Sequence, residues 1–273
     1  MKTVTPSDIS AVQLQTIMQT AVSPRPIALA STVDKDGNSN LSPFSFFNMF
    51  STVPPVLIFS PSRRVRDNTT KHTLENVLEV PEVVIGTVNF PIVQQISLAS
   101  TEYGDGINEF IKSGLTMKDA DLVKPKLIEQ CPVNFECKVL EIKSLGDQGG
   151  AGNLVICEVI KIHIREEYLN GEGNLDQAKL DMVARLGGNW YSRNNERHLF
   201  EVPKPLVTKG IGFDLLPEEI KFSRIFTGND LGMLANVETL PAGAYHSDET
   251  VHQNAQQLLL ESKIEEAWNV LIK

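Results

Sequence analysis

What this chain has little of narrows the field first. It holds three cysteines, Cys131, Cys137 and Cys157, an odd number without CxxC spacing. Neither a disulfide framework nor a zinc site is supported by that pattern, and buried, reduced thiols are expected, since free cysteine is among the most buried residue types. Basic residues are outnumbered, 25 Lys and Arg against 34 Asp and Glu, for a formal charge of −9. Nucleic acid is thereby excluded as a main partner, because neutralising phosphates needs clustered cations. No segment approaches the roughly 18 uninterrupted apolar residues of a membrane span. The start, Met1-Lys-Thr-Val-Thr-Pro-Ser-Asp8, has no apolar signal core, so a soluble, cytoplasmic protein that does not engage a membrane is expected. His163, His198, His246 and His252 are scattered without metal-ligand spacing, so no metal is expected. No Ser-His-Asp or paired-carboxylate arrangement stands out.

What is present is β-rich. Runs of Val, Ile and Phe at 26–33, 56–60, 83–90, 133–143 and 154–165 read as strands, few of them separated by full-length helices, which favours an antiparallel barrel over a doubly wound parallel sheet. Hydrophobic content of 41% suffices for a real core. Helices are expected at Thr69–Val80, with Leu74, Val77 and Leu78 on one face, at Ile92–Ser100, and at Leu175–Leu186 with a stop at Gly187-Gly188. Beyond Phe200 prolines punctuate short segments. The sequence Gly228-Asn-Asp-Leu-Gly232 reads as a turn, and Asp248–Leu271 as one final helix with Leu259, Ile264, Trp268 and Leu271 as its apolar stripe. Two parts follow: residues 1–199 as the barrel domain, and 200–273 as a helical extension packed on the barrel or on a partner subunit.

The most telling stretch is Ser23-Pro-Arg-Pro-Ile-Ala-Leu-Ala-Ser-Thr32, followed by Asp36-Gly37, Asn40-Leu-Ser-Pro-Phe-Ser-Phe-Phe-Asn48 and Pro54-Pro55-Val-Leu-Ile-Phe-Ser60. It reads as strand, Asp-Gly turn, strand, polar-aromatic loop and strand, setting hydroxyls, amides and aromatics at one barrel rim. That rim suits a flat ligand with polar edges. From Ser23 to Arg193 this series resembles the flavin reductase-like, FMN-binding split-barrel family, including its flavoredoxin-like members. The resemblance implies a mainly β fold with added helices, a Greek-key antiparallel split barrel, and FMN as cofactor.

Three stretches carry the expected site. Ser60-Pro-Ser-Arg-Arg-Val-Arg-Asp-Asn-Thr-Thr-Lys-His-Thr73 offers arginines, a lysine and hydroxyls leading into a helix, a donor set that could converge on a phosphate dianion. Lys71-His72-Thr73 with Asn76 is similar to the family's Lys-Asp-Thr followed by Asn, with histidine replacing the acid. Phosphate contacts are expected from Arg63, Arg64, Lys71 and Thr73; read blandly, the same stretch is a solvated basic loop. In Asn40–Asn48 the interleaving of hydroxyls and amides with aromatics implies partners for the polar groups. Asn40, Ser42, Ser45 and Phe46 are expected at the flavin. Thr32, Asn48 and Ser60 at the same rim complete the cofactor-binding set, together with Arg185 and Tyr191 from Arg185-Leu-Gly-Gly-Asn-Trp-Tyr191. Glu102 and Glu109 could line the pocket entrance. One departure stands out: Gly146-Asp147 is followed by Gln148, where many reductases of the family carry histidine near the nicotinamide. The glycines that follow match neither GxGxxG nor the Walker pattern, and a flexible hairpin is the better reading.

The resemblance implies a homodimer in which hydride passes from NAD(P)H to flavin, with the reduced flavin handed to a partner such as a monooxygenase or another redox protein. Two alternatives stay open. One is a flavoredoxin-like electron carrier with tightly held FMN and no direct NAD(P)H activity, which Gln148 favours. The other is a barrel that binds a different ligand and performs no reaction.

Overall fold

The computed structural model describes residues 1–104 and 106–273. The chain divides into two compact units, Met1–Leu199 and Phe200–Lys273.

The first unit begins with helix α1 (Ala11–Ala21) and continues through strands β1 (Ala28–Val33), β2 (Ser39–Phe44), β3 (Phe47–Thr52) and β4 (Pro55–Phe59) to helix α2 (His72–Glu79) and strand β5 (Glu82–Thr87). Helices α3 (Val93–Ala99) and α4 (Glu109–Ser113) follow, then the short pair β6 (Met117–Lys118) and β7 (Leu127–Ile128), and the long hairpin β8 (Val133–Ser144) and β9 (Asn153–Ile164). A one-turn helix α5 (Gln177–Leu180) precedes a last hairpin, β10 (Met182–Arg185) and β11 (Tyr191–Asn194).

Seven strands form one antiparallel sheet in the order β2-β1-β5-β8-β9-β4-β3. β2 and β3 lie at opposite edges of that order, yet only Ser45 and Phe46 separate them in the chain. The sheet must therefore curl until its edges meet. Side chains close the gap: the Phe44 ring of β2 lies 5.3 Å from the Phe59 ring of β4, while among the described residues no ladder joins β2 to β3. This is a mainly β split barrel with added helices. The stretch expected as a loop at 40–48 is in fact two strands with a two-residue bend, because Leu41, Phe44 and Phe47 all pack into apolar clusters from pleated backbone.

Every residue of β1 is buried. Its inner face, Ala28 and Ala30, packs with Phe44, Phe59, Ile85 and Cys157, while Leu29 on the outer face meets Leu41, Val84 and Phe110. A strand covered on both faces reads as an unbroken apolar run, which is why this strand was plain in the sequence. Phe59 and Phe110 have no exposed surface, and truncating either to alanine costs about 3–5 kcal/mol.

Helix α2 turns Thr73, Leu74, Asn76 and Val77 inward. Leu78, expected on that face, is exposed, because a further step of roughly 100° beyond Val77 carries it out of the buried arc. The helix expected over Leu175–Leu186 ends at Leu180. Asp181 takes a left-handed conformation with φ 46°, and the next four residues pair with β11 instead. Docking explains the change, since Val183 enters the outer cluster and Met182 and Arg185 bridge to Asn89 and Arg25.

The second unit is helical: α6 (Glu218–Lys221), α7 (Gly228–Ala235), α8 (Glu249–Leu260) and α9 (Ile264–Leu271). Leu216, Ile220, Leu231, Leu234, Leu259, Trp268 and Leu271 make its core. The expected turn at 228–232 is the start of α7, set by a capping box between Thr227 and Asp230. The single final helix is two, broken at Ser262 with φ 59°; the hairpin lets Ala255 and Leu259 pack in one cluster with Trp268 and Leu271. His252 is buried here, with Nε2 donating to the His246 carbonyl at 2.7 Å and Nδ1 2.8 Å from Ser223 Oγ.

Candidate functional site

The basic stretch 60–71 is held from two sides. Toward the β8–β9 hairpin, the Arg63 amide donates to the Ala151 carbonyl at 2.8 Å and the Gly150 amide to the Arg63 carbonyl at 2.9 Å. Asn68 Nδ2 donates to the Asp147 carbonyl at 2.9 Å. A Cβ on Gly149 would lie 2.9 Å from the Arg64 carbonyl oxygen, so only glycine permits this approach. The glycine-rich turn expected to be a flexible hairpin is thus stapled to the basic loop.

That path sorts the cations. Arg63, expected at the phosphate, donates to the side chain and backbone of Asn68 at 2.7 and 2.9 Å, so that part of its guanidinium shapes the loop. Arg64 donates to Glu102 at 2.9 Å and to Thr69 Oγ1 at 2.8 Å, and Arg66 shares Glu102 with it. Lys71 differs. Its ammonium lies half-buried above the Phe44 ring at 5.8 Å, and among the described residues no ion pair is made by it. Burial, and then the neighbouring Arg64 charge, lower its pKa below the usual lysine value, with Glu102 opposing. Lys71 also precedes the first turn of α2, which has no side-chain cap. Arg64, Lys71 and Thr73 meet in one cleft with Asn40, Ser42, Ser100, Thr101 and Tyr103. Glu102 and Glu109 line the same cleft, so its two cations are matched by two carboxylates in number; the donors that face an entering anion are the Lys71 ammonium, the hydroxyls and the uncapped start of α2, a set able to meet the oxygens of a phosphate.

Behind the cleft runs an internal polar network. Thr73 Oγ1 donates to Asn40 Oδ1 at 2.9 Å, Asn40 Nδ2 to Glu109 Oε2 at 3.0 Å, the Leu41 amide to the same oxygen at 3.1 Å, and Asn76 Nδ2 to Thr32 Oγ1 at 3.1 Å. Thr32 has no exposed surface, so it supports the site from behind instead of meeting a ligand. Glu109, expected with Glu102 to line the pocket, does line this cleft with Glu102 and Tyr103, as a buried member of the network. Ser60 is buried as well, its Oγ 2.7 Å from where a Cβ on Gly152 would fall. Asn48 points outward on β3 and accepts from the Met49 amide at 2.8 Å, away from the cleft that holds Lys71.

The sequence reading passed over Arg25. It is buried, and its guanidinium donates to the Gln19 and Val22 carbonyls at the end of α1, to the Leu186 carbonyl at 2.9 Å and to Ser45 Oγ at 3.5 Å. One side chain thereby ties α1, the Ser45-Phe46 bend and the β10–β11 hairpin together. Arg185 and Tyr191 sit beside it: they are paired across the hairpin, with the guanidinium 4.6 Å from the ring centre. The signal for Arg25 was present in Pro24-Arg-Pro26, whose fixed backbone leaves the arginine as the variable element.

All three cysteines are buried, and burial raises their thiol pKa values, that of Cys157 to about 12. They are inert thiols. Ligand atoms of Asp121, Glu136 and His163 lie within 4.8 Å of one another. Their partners are already in place: Glu136 accepts from the Asp121 and Leu122 amides at 2.9 and 2.6 Å and lies 2.6 Å from His163 Nε2, while Lys161 pairs with Asp121. This cluster clamps the 119–126 segment onto β8 and β9.

Known proteins share this architecture. The model of the flavin reductase like domain matches residues 20–179. An uncharacterized protein of Aquifex aeolicus is 36% identical over 170 residues, 62% of this chain and 84% of its own. Component B of the nitrilotriacetate monooxygenase of Bacillus cereus superposes with a TM-score of 0.69 at 24% identity, over 74% of this chain and 98% of its own. The 2-nitrobenzoate 2-nitroreductase of Pseudomonas fluorescens does so with a TM-score of 0.64 at 25% identity, over 77% and 100%. A match across more than half the chain, carried by a split barrel with an anion cleft at its rim, makes this protein a member of the flavin reductase-like family.

Proposed function

We propose that the protein is an FMN-binding NAD(P)H:flavin oxidoreductase that works as a homodimer. The observation that carries the reading is Lys71: a half-buried ammonium beside Arg64 at an uncapped helix start. Charge held in such a place calls for a bound anion, and the phosphate of FMN supplies it. Arg64, Lys71 and Thr73 would hold the phosphate, and Ser42, Ser45 and Phe46 would face the ring. FMN when bound supplies the ring nitrogen that takes up hydride from a nicotinamide.

The protein's own part is position. The network of Thr32, Asn40, Asn76 and Glu109 fixes the wall behind Thr73, and Arg25 fixes the Ser45-Phe46 bend against α1. Alignment of reacting groups by a rigid rim is worth several kcal/mol of barrier, and no side chain here needs to give or take a proton. The name of the Bacillus cereus neighbour, a monooxygenase component, supports delivery of reduced flavin to a partner.

The test is the visible spectrum of the purified protein, followed by anaerobic titration with NADH and then NADPH. A yellow protein bleached promptly by either nucleotide supports the reading and names the donor. A protein that stays colourless after FMN is added refutes it. The turn around Gln148 favours a second reading, a flavoredoxin-like carrier, which predicts a yellow protein that neither nucleotide bleaches.

A further inference from the structure

The second unit, Phe200–Lys273, supplies no residue to the proposed flavin site, yet one side-chain pair within it has the geometry of a base and a nucleophile. His252 on α8 is buried, and its Nε2 donates to the His246 carbonyl at 2.7 Å. A neutral imidazole that holds its proton on Nε2 keeps a lone pair on Nδ1. The Ser223 hydroxyl, 2.8 Å from Nδ1, is therefore the donor in that bond. The Phe226 ring, 5.1 Å from the imidazole and tilted by 30°, keeps it in plane. A base set on a hydroxyl, and itself oriented by a third group, is the arrangement that activates a serine.

The surroundings of Ser223 suit attack on a carbonyl. Its amide donates to the Ile220 carbonyl at 3.1 Å, just beyond α6, and its Oγ accepts from the Ile225 amide at 3.2 Å, so the nucleophile is held in place from both its backbone and its side chain. A hydroxyl serving only to satisfy the imidazole would be shut in with it; Ser223 is half-buried, with part of its surface open to solvent. Among the described residues the Arg224 amide makes no hydrogen bond, which leaves an N–H, next in the chain after the nucleophile, for the oxygen of an attacked carbonyl. The neighbouring surface is apolar: Phe213 and Phe222 are exposed, and the Lys221 ammonium lies 5.5 and 6.0 Å from their ring centres.

We infer that Ser223 is an activated nucleophile and that the second unit takes an acyl group onto its Oγ from an ester with an apolar acyl part. As Oγ bonds the carbonyl carbon, its proton passes to Nδ1 of His252. The bond from that carbon to the alcohol oxygen then breaks, and the alcohol leaves with the proton from Nδ1. Water, giving its proton to the same nitrogen, releases the acid and restores the hydroxyl. Nothing is oxidised or reduced, and the step stands apart from the flavin reading.

The experiment is labelling of the purified full-length protein with an alkyl fluorophosphonate, which takes the place of the ester and loses fluoride, read by intact mass and peptide mapping. One adduct, on Ser223, is expected, together with a burst of 4-nitrophenol from 4-nitrophenyl butyrate. Ser223→Ala should abolish both. His252→Gln should slow labelling roughly 100-fold or more, the usual worth of a general base, with the visible spectrum after FMN addition unchanged. Because His252 is buried, its variant is checked by circular dichroism; should it unfold, the labelling rate of the parent against its urea-unfolded form decides in its place. No adduct, an adduct on another residue, or labelling of Ser223 at the same rate in folded His252→Gln or in the unfolded chain would overturn the inference and show the pair to be a structural hydrogen bond.

Discussion

Replacing Lys71 by methionine should have opposite effects on ligand binding and on folding. In the flavin-free protein the ammonium is penalised by burial and by Arg64. Its folded pKa lies below the ordinary lysine value, so between the two the unfolded chain binds more protons and stability rises with pH. Below that window the penalty is fully present. Lys71→Met removes it, and the melting temperature of the flavin-free variant at pH 7 should equal or exceed that of the parent. Binding should move the other way. A charge-assisted contact to phosphate contributes about 1.5–3 kcal/mol, so Kd for FMN should rise roughly 12- to 160-fold. The bound phosphate also keeps the ammonium protonated. Affinity for FMN in the parent should therefore fall as pH climbs through the lowered pKa, and this alkaline limb should vanish in the variant. Flavin-fluorescence titration from pH 7 to 10.5, paired with thermal melts of the flavin-free proteins, reads both quantities. An unchanged Kd would show that Lys71 does not meet the phosphate; a joint loss of affinity and stability would show that it is a structural residue.

Three further substitutions test the surrounding frame. Burial alone would raise the Glu136 pKa, but hydrogen bonds from the Asp121 and Leu122 amides and His163 outweigh it and hold the group below its ordinary value. Its stabilisation is thus present above about pH 4.5 and lost as pH falls through the folded value, and Glu136→Gln should cost about 2–3 kcal/mol at neutral pH and progressively less in acid; a pH-independent difference in urea midpoint would contradict this. Arg25→Met should release α1 by removing its bonds to the Gln19 and Val22 carbonyls, seen as faster proteolysis before residue 23 with the barrel intact, and resistance equal to the parent would show that α1 is held by other means. Ser262→Gly should stabilise the second unit by roughly 0.5–1 kcal/mol, because a non-glycine residue at φ 59° is strained; a lower melting temperature would mean that the Ser262 side chain contributes more than its backbone loses.

How much of this was legible in the sequence depends on whether the deciding interaction was local. β1, β4, β5, β8 and β9 were readable because burial on one or both faces writes itself directly into apolar runs. Helices α1 and α7 were not seen, since their apolar faces are short; their marks were the capping boxes Ser10 with Gln13 and Thr227 with Asp230. β10 was misread as helix because Met182-Val-Ala-Arg185 has no strong local preference, and only docking of Val183 in the outer cluster and the bridges to Asn89 and Arg25 decide its state. The candidate site divides in the same way. That a basic loop leads into a helix was plain, but Arg63, Arg64 and Lys71 are equivalent as letters. What separates them is the loop's path: a left-handed Asn68 brings one carbonyl and one amide oxygen to Arg63, and Glu102, more than thirty residues on, draws Arg64 and Arg66. Lys71 makes no ion pair among the described residues, with Glu102 acting on it only at a distance, and so it is the residue whose replacement discriminates a ligand site from a solvated loop.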